Sequence, residues 1–191
     1  VQFDGVNDYV AVPGITCADF LVEATSEAVI TPTLPHSGFV MTCGRDTGSA
    51  PFQGWGWGIS DAGSSSSNLT ALICGVAWVS SGYSLPTSGA TYHVVVTLSG
   101  GNAWTFYVNG VQVSSVTQGG VPNNVAGEFR IGSMTGFRHF NGVISSVRHD
   151  RRAASAGEVK GRYDQYLRDY PDLLRRLPTT RSVVGVAAGG S

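Results

Sequence analysis

The chain has 191 residues, of which 42% are hydrophobic and 13% are charged. It contains 26 glycines and carries a net charge of −1. This composition excludes an intrinsically disordered chain and favours short strands joined by tight turns over a helical bundle. The length fits one large all-β domain with a full core. No apolar run is long enough for a membrane span and no secretory signal opens the chain, which starts at Val1 without Met and is interpreted as a processed form or a fragment.

Strand patterns alternate with turn signals along most of the chain. We predict strands over 1–12 (interrupted by a turn at 4–8), 20–30, 39–43, 55–59, 69–79, 92–98, 104–116, 129–132 and 143–148. Residues 63–68 read as a low-complexity turn, and 92–98 (YHVVVTL) is rich in β-branched residues, as expected of a central strand. Short strands at this spacing predict an antiparallel β-sandwich.

The strongest local signal is the dipeptide Asn109-Gly110, with apolar and polar residues alternating on either side. Both central residues of a type I′ turn need positive φ, so this dipeptide predicts a tight β-hairpin. Trp104, Phe106 and Val108 share one face of its first strand, and that face is predicted to join the core.

One helix is predicted, and it begins after Ser155. Ser155 and Glu158 have the spacing of a capping box, and apolar or aromatic residues then recur at helical intervals until Pro171: Val159, Tyr163, Tyr166 and Tyr170. We expect this stripe to lie on the sandwich. The chain is accordingly divided into a sandwich with its C-terminal helix (1–170) and an Arg-rich docking segment and tail (171–191).

Charge is distributed unevenly along the chain. Residues 1–129 carry one Arg against eight acidic residues, whereas residues 130–191 carry ten Arg and one Lys against five acidic residues. The two ends of the chain either neutralise each other in the fold or leave a basic docking surface for an acidic partner. The preponderance of Arg over Lys favours docking slightly, because guanidinium groups suit interfaces.

Several segments in succession carry a family resemblance: FDGVNDYVAV (3–12), FLVEA (20–24), TYHVVVTL (91–98), FYVNGVQV (106–113), FRIG (129–132) and FNGVISSVRHDRRAASAGEV (140–159). Over roughly residues 1–166 the chain resembles the laminin G-like branch of the concanavalin A-like lectin/glucanase superfamily. The resemblance implies a jelly-roll sandwich of two curved antiparallel sheets, with loops that hold calcium or sugar in some relatives. It leaves function open, because the superfamily contains lectins, hydrolases, adhesion modules and viral structural proteins.

A glycosidase would need two carboxylates close together on one sheet face. Glu23 and Glu27 are four residues apart and share a strand face, but we interpret them as solvated acids on an outer face, because nothing else in that stretch supports a substrate cleft. The four His residues are scattered, with no nucleophile at a recognisable spacing. The sequence therefore predicts a protein that is not an enzyme.

The candidate glycan-binding residues are Trp55 and Trp57, which project to one side of the segment GWGWG, where glycines leave the rings accessible. The alternative, which we favour modestly, places both rings in the core. Asp46 and Asp61 lie in predicted loops, but no dense set of oxygen ligands accompanies them. We therefore predict no cofactor and leave a structural calcium ion open.

The remaining polar and sulfur residues have structural interpretations. Asp4 and Asp8 are predicted to form the FDGVND turn by accepting backbone hydrogen bonds. The three cysteines, Cys17, Cys43 and Cys74, lack metal-ligand spacing. Cys43 and Cys74 lie in apolar surroundings and are predicted to be buried thiols, with one disulfide as the alternative.

Two functional classes stay open. The first is a non-catalytic display or assembly protein, such as a decoration or fibre component of a phage-like virion, because an Arg-rich end and an extended apolar tail lie outside the laminin G-like core. The tail also loosely resembles the endings of phage structural proteins that carry this domain. Such a protein would be part of an oligomer or assembly and bind a capsid or fibre subunit through its tail, with these docking residues: Arg175, Arg176, Arg181, Val183 and Val184. The tail could instead protect an edge strand of its own domain. The second class is a lectin-like adhesion module that binds glycans; the expected location is the virion surface or the extracellular space.

Overall fold

The computed structural model describes residues 1–15, 22–45, 53–120, 128–134 and 138–171. Within these residues the strands are β1 (Gln2–Asp4), β2 (Val10–Val12), β3 (Ala24–Pro32), β4 (Gly38–Arg45), β5 (Gln53–Asp61), β6 (Ser64–Ile73), β7 (Ala77–Ser84), β8 (Tyr92–Ser99), β9 (Ala103–Val108), β10 (Val111–Thr117), β11 (Phe129–Ile131) and β12 (Asn141–Asp150), and the helix is α1 (Ala156–Asp169). The helix is too short and too polar to span a bilayer, so the described part of the chain contains no candidate membrane helix.

The strands form two six-stranded sheets. The first sheet has the order β1-β12-β3-β8-β9-β10, and the second has the order β2-β11-β4-β5-β6-β7. The pairings within both sheets are antiparallel. The predicted antiparallel jelly-roll sandwich is therefore confirmed, and the strand at 92–98 (β8) is central, between β3 and β9.

Alternation along each strand decides which side chains reach the core between the sheets. On β8 the residues Tyr92, Val94, Val96 and Leu98 belong to this core, and so do the three residues of β9 predicted from the hairpin: Trp104, Phe106 and Val108. The alternate residues of these strands point to the other face of the first sheet. That outer face therefore carries a second set of side chains, which are buried only if another element of the chain packs on it.

Local turn predictions are confirmed where short-range chemistry determines them. Asn109 and Gly110 have φ of 51° and 75°, as a type I′ hairpin requires. Asp4 Oδ1 accepts the backbone N–H of Val6 at 2.8 Å, and Asp8 Oδ2 accepts the backbone N–H of Asp4 at 3.0 Å. Both aspartates therefore act as turn formers.

Two strand predictions were wrong in their boundaries. The segment 1–12 is not one interrupted strand, because β1 belongs to the first sheet and β2 to the second. The segment 69–79 is split between β6 and β7, and β6 begins at Ser64 inside the predicted turn at 63–68. A turn separates the two strands at Gly75, which has a φ of 74°, and Val76 donates its backbone N–H to the carbonyl of Ile73. The alternation pattern continues across this turn and does not reveal it.

Helix α1 covers the outer face of the first sheet. Its capping box is confirmed, since the Ser155 side chain accepts the backbone N–H of Glu158 and the Glu158 side chain accepts the backbone N–H of Ser155. Val159 is fully buried in a cluster with Val95 of β8 and Tyr107 of β9. The predicted contact between the helical stripe and the sandwich is therefore present, and it encloses the side chains described next.

Candidate functional site

A buried carboxylate lies at the centre of the interface between α1 and the first sheet. Glu27 on β3 is 1% exposed. Its Oε1 accepts a hydrogen bond from Nε2 of His93 on β8 at 2.7 Å, and its Oε2 accepts one from Nη1 of Arg162 on α1 at 2.8 Å. One carboxylate thus joins two strands to the helix.

The network continues from Arg162 towards the surface. Its second terminal nitrogen, Nη2, donates to Oδ2 of Asp150 at 2.7 Å, and Asp150 also accepts Nε of Arg148 at 3.1 Å. The exposed fraction of the side chain rises along this path, from 2% at Glu27 to 12% at Arg162 and 53% at Arg148. The result is a row of alternating charges that runs from the buried Glu27 to the solvent-exposed Arg148.

Strand register and helical period explain why these residues meet. In the sheet, Glu27 lies directly opposite Val95 of β8 on one side and Arg148 of β12 on the other. Since outward-facing residues recur every two positions, His93 lies on the same face as Val95. On the helix, Arg162 and Tyr166 are four residues apart and point to the same side.

Hydrogen bonding keeps both carboxyl groups of the network ionised. Burial by itself would raise the pKa of Glu27, but hydrogen bonds from His93 and Arg162, and their charges, hold it below its usual value. Burial also acts to raise the pKa of Asp150, and its hydrogen bonds from Arg148 and Arg162 lower it. Neither carboxyl group is therefore in a state to donate a proton near neutral pH.

Next to this network lies a cavity of about 240 Å³ between the C-terminal half of α1 and strands β3 and β12. We call it the helix groove. It is lined by these residues: Glu27, Ser146, Arg148, Arg162, Gln165, Tyr166, Asp169 and Tyr170. Its walls therefore combine hydroxyl, amide, carboxylate and guanidinium groups with two aromatic rings.

The tyrosines form the aromatic part of the helix groove. Tyr166 and Tyr170 are stacked, with ring centroids 6.1 Å apart and planes at 29°. The Tyr166 hydroxyl is 2.7 Å from Oγ of Ser146, so one of the two donates to the other. Tyr170 is 55% exposed, which leaves part of its ring available for contact with a ligand.

Trp55 and Trp57, predicted as glycan-binding residues, are both in the core. They are 3% and 1% exposed. Trp57 Nε1 donates to Oγ of Ser26 at 2.7 Å, and Trp55 stacks on His149 with ring centroids 5.0 Å apart. The prediction of an accessible stacking surface is therefore wrong, and the core alternative is correct, because the face of β5 that carries both rings points between the sheets.

The interpretation of Glu23 and Glu27 as two solvated acids needs correction. Glu23 is half-buried just before β3, and its carboxylate accepts the backbone N–H of Gly100 at 2.9 Å and the hydroxyl of Ser99 at 3.0 Å. The hydrogen bond from Gly100 is the largest cause of a lowered pKa at Glu23, and the bond from Ser99 lowers it further. Glu27 does lie on an outer face, but α1 covers that face. A polar His93 inside the apolar segment YHVVVTL was the available signal that this face holds a buried polar partner.

The other predicted site residues have different outcomes. The docking residues Arg175, Arg176, Arg181, Val183 and Val184 lie outside the described residues, as does Asp46. In the described parts of the chain, no group of three or more His, Cys, Asp or Glu side chains could hold a metal ion.

The cysteine prediction is corrected at one position. Cys43 is disulfide-bonded and is therefore not a buried thiol. Cys74 is buried, as predicted, in a small apolar cluster with Phe39 and Leu72 on the outer face of the second sheet.

The fold and these sites can now be compared with known proteins. The family model described as the concanavalin A-like lectin/glucanases superfamily matches residues 4–160. The chain belongs to this superfamily. The resemblance expected from the ordered segments is thereby confirmed, and no curated protein sequence is significantly similar to the chain.

Solved structures share this superfamily fold at low sequence identity. Domain 4 of AbnA, a GH43 extracellular arabinanase from Geobacillus stearothermophilus in complex with arabinotriose, is 15% identical over 83% of this chain and 73% of that chain, with a TM-score of 0.62. A heptameric SAP-like pentraxin from Limulus polyphemus is 17% identical over 83% and 78%, with a TM-score of 0.61. The binding domain of botulinum neurotoxin serotype G is 13% identical over 86% of this chain and 42% of that chain, with a TM-score of 0.61. At these identities the likeness establishes the fold alone.

Proposed function

We propose that this protein is a non-catalytic, lectin-like module that binds glycans in the helix groove. The observation that carries the proposal is the exposed ring of Tyr170 beside the paired hydroxyls of Tyr166 and Ser146 and the carboxylate of Asp169. An aromatic face with a few fixed polar groups at one end is the arrangement expected of a small-molecule site that recognises polar ligands. Domain 4 of the arabinanase, which shares the fold, was solved with arabinotriose.

The state of the two carboxylates supports a binding role over hydrolysis. A glycosidase needs one carboxyl group whose pKa is raised, so that it can act as general acid. In the network of Glu27, Arg162, Asp150 and Arg148, the pKa values of both carboxyl groups are lowered. Each carboxylate already accepts two or more hydrogen bonds from cationic or ring N–H groups, so neither is a free nucleophile.

The disulfide at Cys43 supports an extracellular location for this module, because disulfides persist mainly in oxidising compartments. The arabinanase that contributes one of the compared domains is itself extracellular. Mass spectrometry of the protein isolated from its native source, with and without reduction, tests this location: a fully reduced thiol at Cys43 would count against it.

The binding proposal is tested on an oligosaccharide array, with and without calcium. We expect reproducible binding that Tyr170→Ala weakens at least tenfold, because the exposed ring is removed. Tyr9→Ala is the matched control, since Tyr9 is also exposed (47%) but lies under Arg130, away from the helix groove. Absence of binding to any glycan, or equal losses in both variants, would overturn the proposal.

A display or assembly role is the second proposal, and the basic C-terminal part of the chain supports it. With residues 130–191 carrying eleven Lys and Arg against five acids, an acidic capsid or fibre subunit is the partner expected. Deleting residues 179–191 should leave solubility and melting temperature unchanged while preventing assembly with the partner. A truncated protein that aggregates or melts much lower would show that the tail serves its own domain instead.

A further inference from the structure

We infer that the ligand of the helix groove is a neutral oligosaccharide and not an acidic one such as a sialylated or uronic acid glycan. This inference rests on the proposed glycan-binding function and adds the chemical class of the sugar. Three observations on the groove carry it: the engagement of its guanidinium groups, its balance of charges and its position on the helix.

Both guanidinium groups at the groove already pair with carboxylates, Arg162 through its two terminal nitrogens and Arg148 through Nε. Both terminal nitrogens of Arg162 bond to carboxylates, to Glu27 at 2.8 Å and to Asp150 at 2.7 Å, and its side chain is only 12% exposed. Arg148 is more exposed, but its Nε bonds to both oxygens of Asp150, at 3.2 and 3.1 Å. A sugar carboxylate could reach Arg162 only by displacing Glu27 or Asp150, and breaking a buried pair is costly. Arg148 is exposed and offers an anion only a surface pair, which contributes little.

Carboxylates outnumber guanidinium groups around the groove. Glu27 and Asp169 line it and Asp150 bonds to both of its arginines, which gives three acidic groups against Arg148 and Arg162. These five groups carry a net charge of −1, which gives an anion no attraction to the groove lining. For a neutral sugar the exposed carboxylate of Asp169 is useful, because carboxylate oxygens accept hydrogen bonds from hydroxyl groups.

The groove is also at the wrong end of a helix for an anion. Asp169 is the last residue of α1 and Tyr170 is its C-cap, so the helix presents its C-terminal end at this site. The unpaired carbonyl groups at a helix C-terminus carry a partial negative charge and act as hydrogen-bond acceptors. The partial negative charge at this end of the helix disfavours a bound carboxylate.

The size of the groove limits the part of the ligand that it holds. A cavity of about 240 Å³ is smaller than the roughly 300 Å³ at which drug-sized sites begin. We therefore expect contact with about one or two sugar rings, one of them stacked on Tyr170, while the rest of an oligosaccharide extends into solvent.

Isothermal titration calorimetry of the full chain tests the class of sugar. The neutral probes are arabinotriose, maltotriose and cellotriose, and the acidic probes are trigalacturonic acid and sialyllactose. We expect at least one neutral probe to bind at least tenfold more tightly than either acidic probe. Its affinity should change less than twofold between about 50 and 500 mM NaCl, because screening affects a neutral ligand little.

Two outcomes separate this inference from the proposed function. Tighter binding of an acidic probe, lost in Tyr170→Ala and not in Tyr9→Ala, would overturn the neutral class and leave the glycan-binding function intact. No binding of any probe, or binding unaffected by Tyr170→Ala, would overturn both.

Discussion

Replacing Glu27 by Gln measures how much the buried charge network stabilises the fold. The amide has the shape of the carboxylate but one acceptor oxygen instead of two, so it can satisfy either His93 or Arg162 and must direct an N–H₂ group at the other. A hydrogen bond to a charged group contributes about 1.5–3 kcal/mol, and breaking a buried pair costs about 3–5 kcal/mol. Because Arg162 keeps Asp150 as a partner, we expect a loss near the lower end, about 3 kcal/mol.

The assay is urea unfolding at pH 7, monitored by tryptophan fluorescence, with thermal unfolding as a second measurement. For a domain of this size about 3 kcal/mol corresponds to a fall in melting temperature of roughly 6–12 °C. The matched control is Glu128→Gln, which removes a carboxylate that is 44% exposed and paired with Arg130 on the surface. Exposed pairs contribute about 0–1 kcal/mol, so this control should change little. Equal effects of the two substitutions would refute the reasoning.

The pH dependence of the same variant provides a second measurement. The folded pKa of Glu27 lies below its usual value of 4.5, so the unfolded chain binds the proton more readily than the native protein does. The stability that the carboxylate contributes is therefore fully present above about pH 4.5 and is lost as the pH falls through the folded pKa. We expect the difference in unfolding free energy between wild type and Glu27→Gln to narrow in that acidic range. A difference that stays constant down to about pH 3 would contradict the lowered pKa.

Two further predictions concern local structure. Gly110→Val should lower the free energy of unfolding by about 1–3 kcal/mol, because φ is 75° there and an added Cβ would lie 2.9 Å from Cδ1 of Tyr163. The control is Gly157→Ala, at an exposed helical site with open space around it, which should stabilise the protein slightly. Ser155→Ala should cost about 1 kcal/mol by removing the helix cap, whereas Ser145→Ala at an exposed strand position should be nearly neutral.

Thermal unfolding measures all four substitutions. An unchanged melting temperature in Gly110→Val would show that the hairpin turn tolerates a side chain and is not under the assumed constraint. A Ser155→Ala variant as stable as Ser145→Ala would show that contacts with the sheet, such as those of Val159 and Arg162, hold the helix without the cap.

The candidate site illustrates which relationships sequence patterns can and cannot reveal. The period of two correctly places Trp55 and Trp57 together on one face of β5, but it does not apply to Glu23 and Glu27, because Glu23 lies just before β3 and only Glu27 lies on it. Periodicity does not say what lies against a face. Trp55 and Trp57 meet the opposite sheet, as the favoured core placement had it, whereas Glu27 meets a helix, so the residue expected to be solvated is buried.

The sequence by itself determined the features that depend on near neighbours. The Asn109-Gly110 turn, the capping box of Ser155 and Glu158 and the Asp4 turn each require only residues within a few positions of one another, and all are present. The ordered succession of strand motifs also determined the superfamily and its antiparallel sandwich.

Only the tertiary structure decided the buried network and the groove beside it. Glu27 meets His93 across 66 residues of sequence and Arg162 across 135. Such contacts depend on sheet register and on where the helix crosses the sheet, and these are set by the packing of the whole core around side chains such as Val159 and Val95. Short-range propensity carries no information about that packing. A charged side chain with an apparently exposed pattern is therefore buried and bonded to both a strand and a helix, because the helix that covers it lies more than a hundred residues further along the chain.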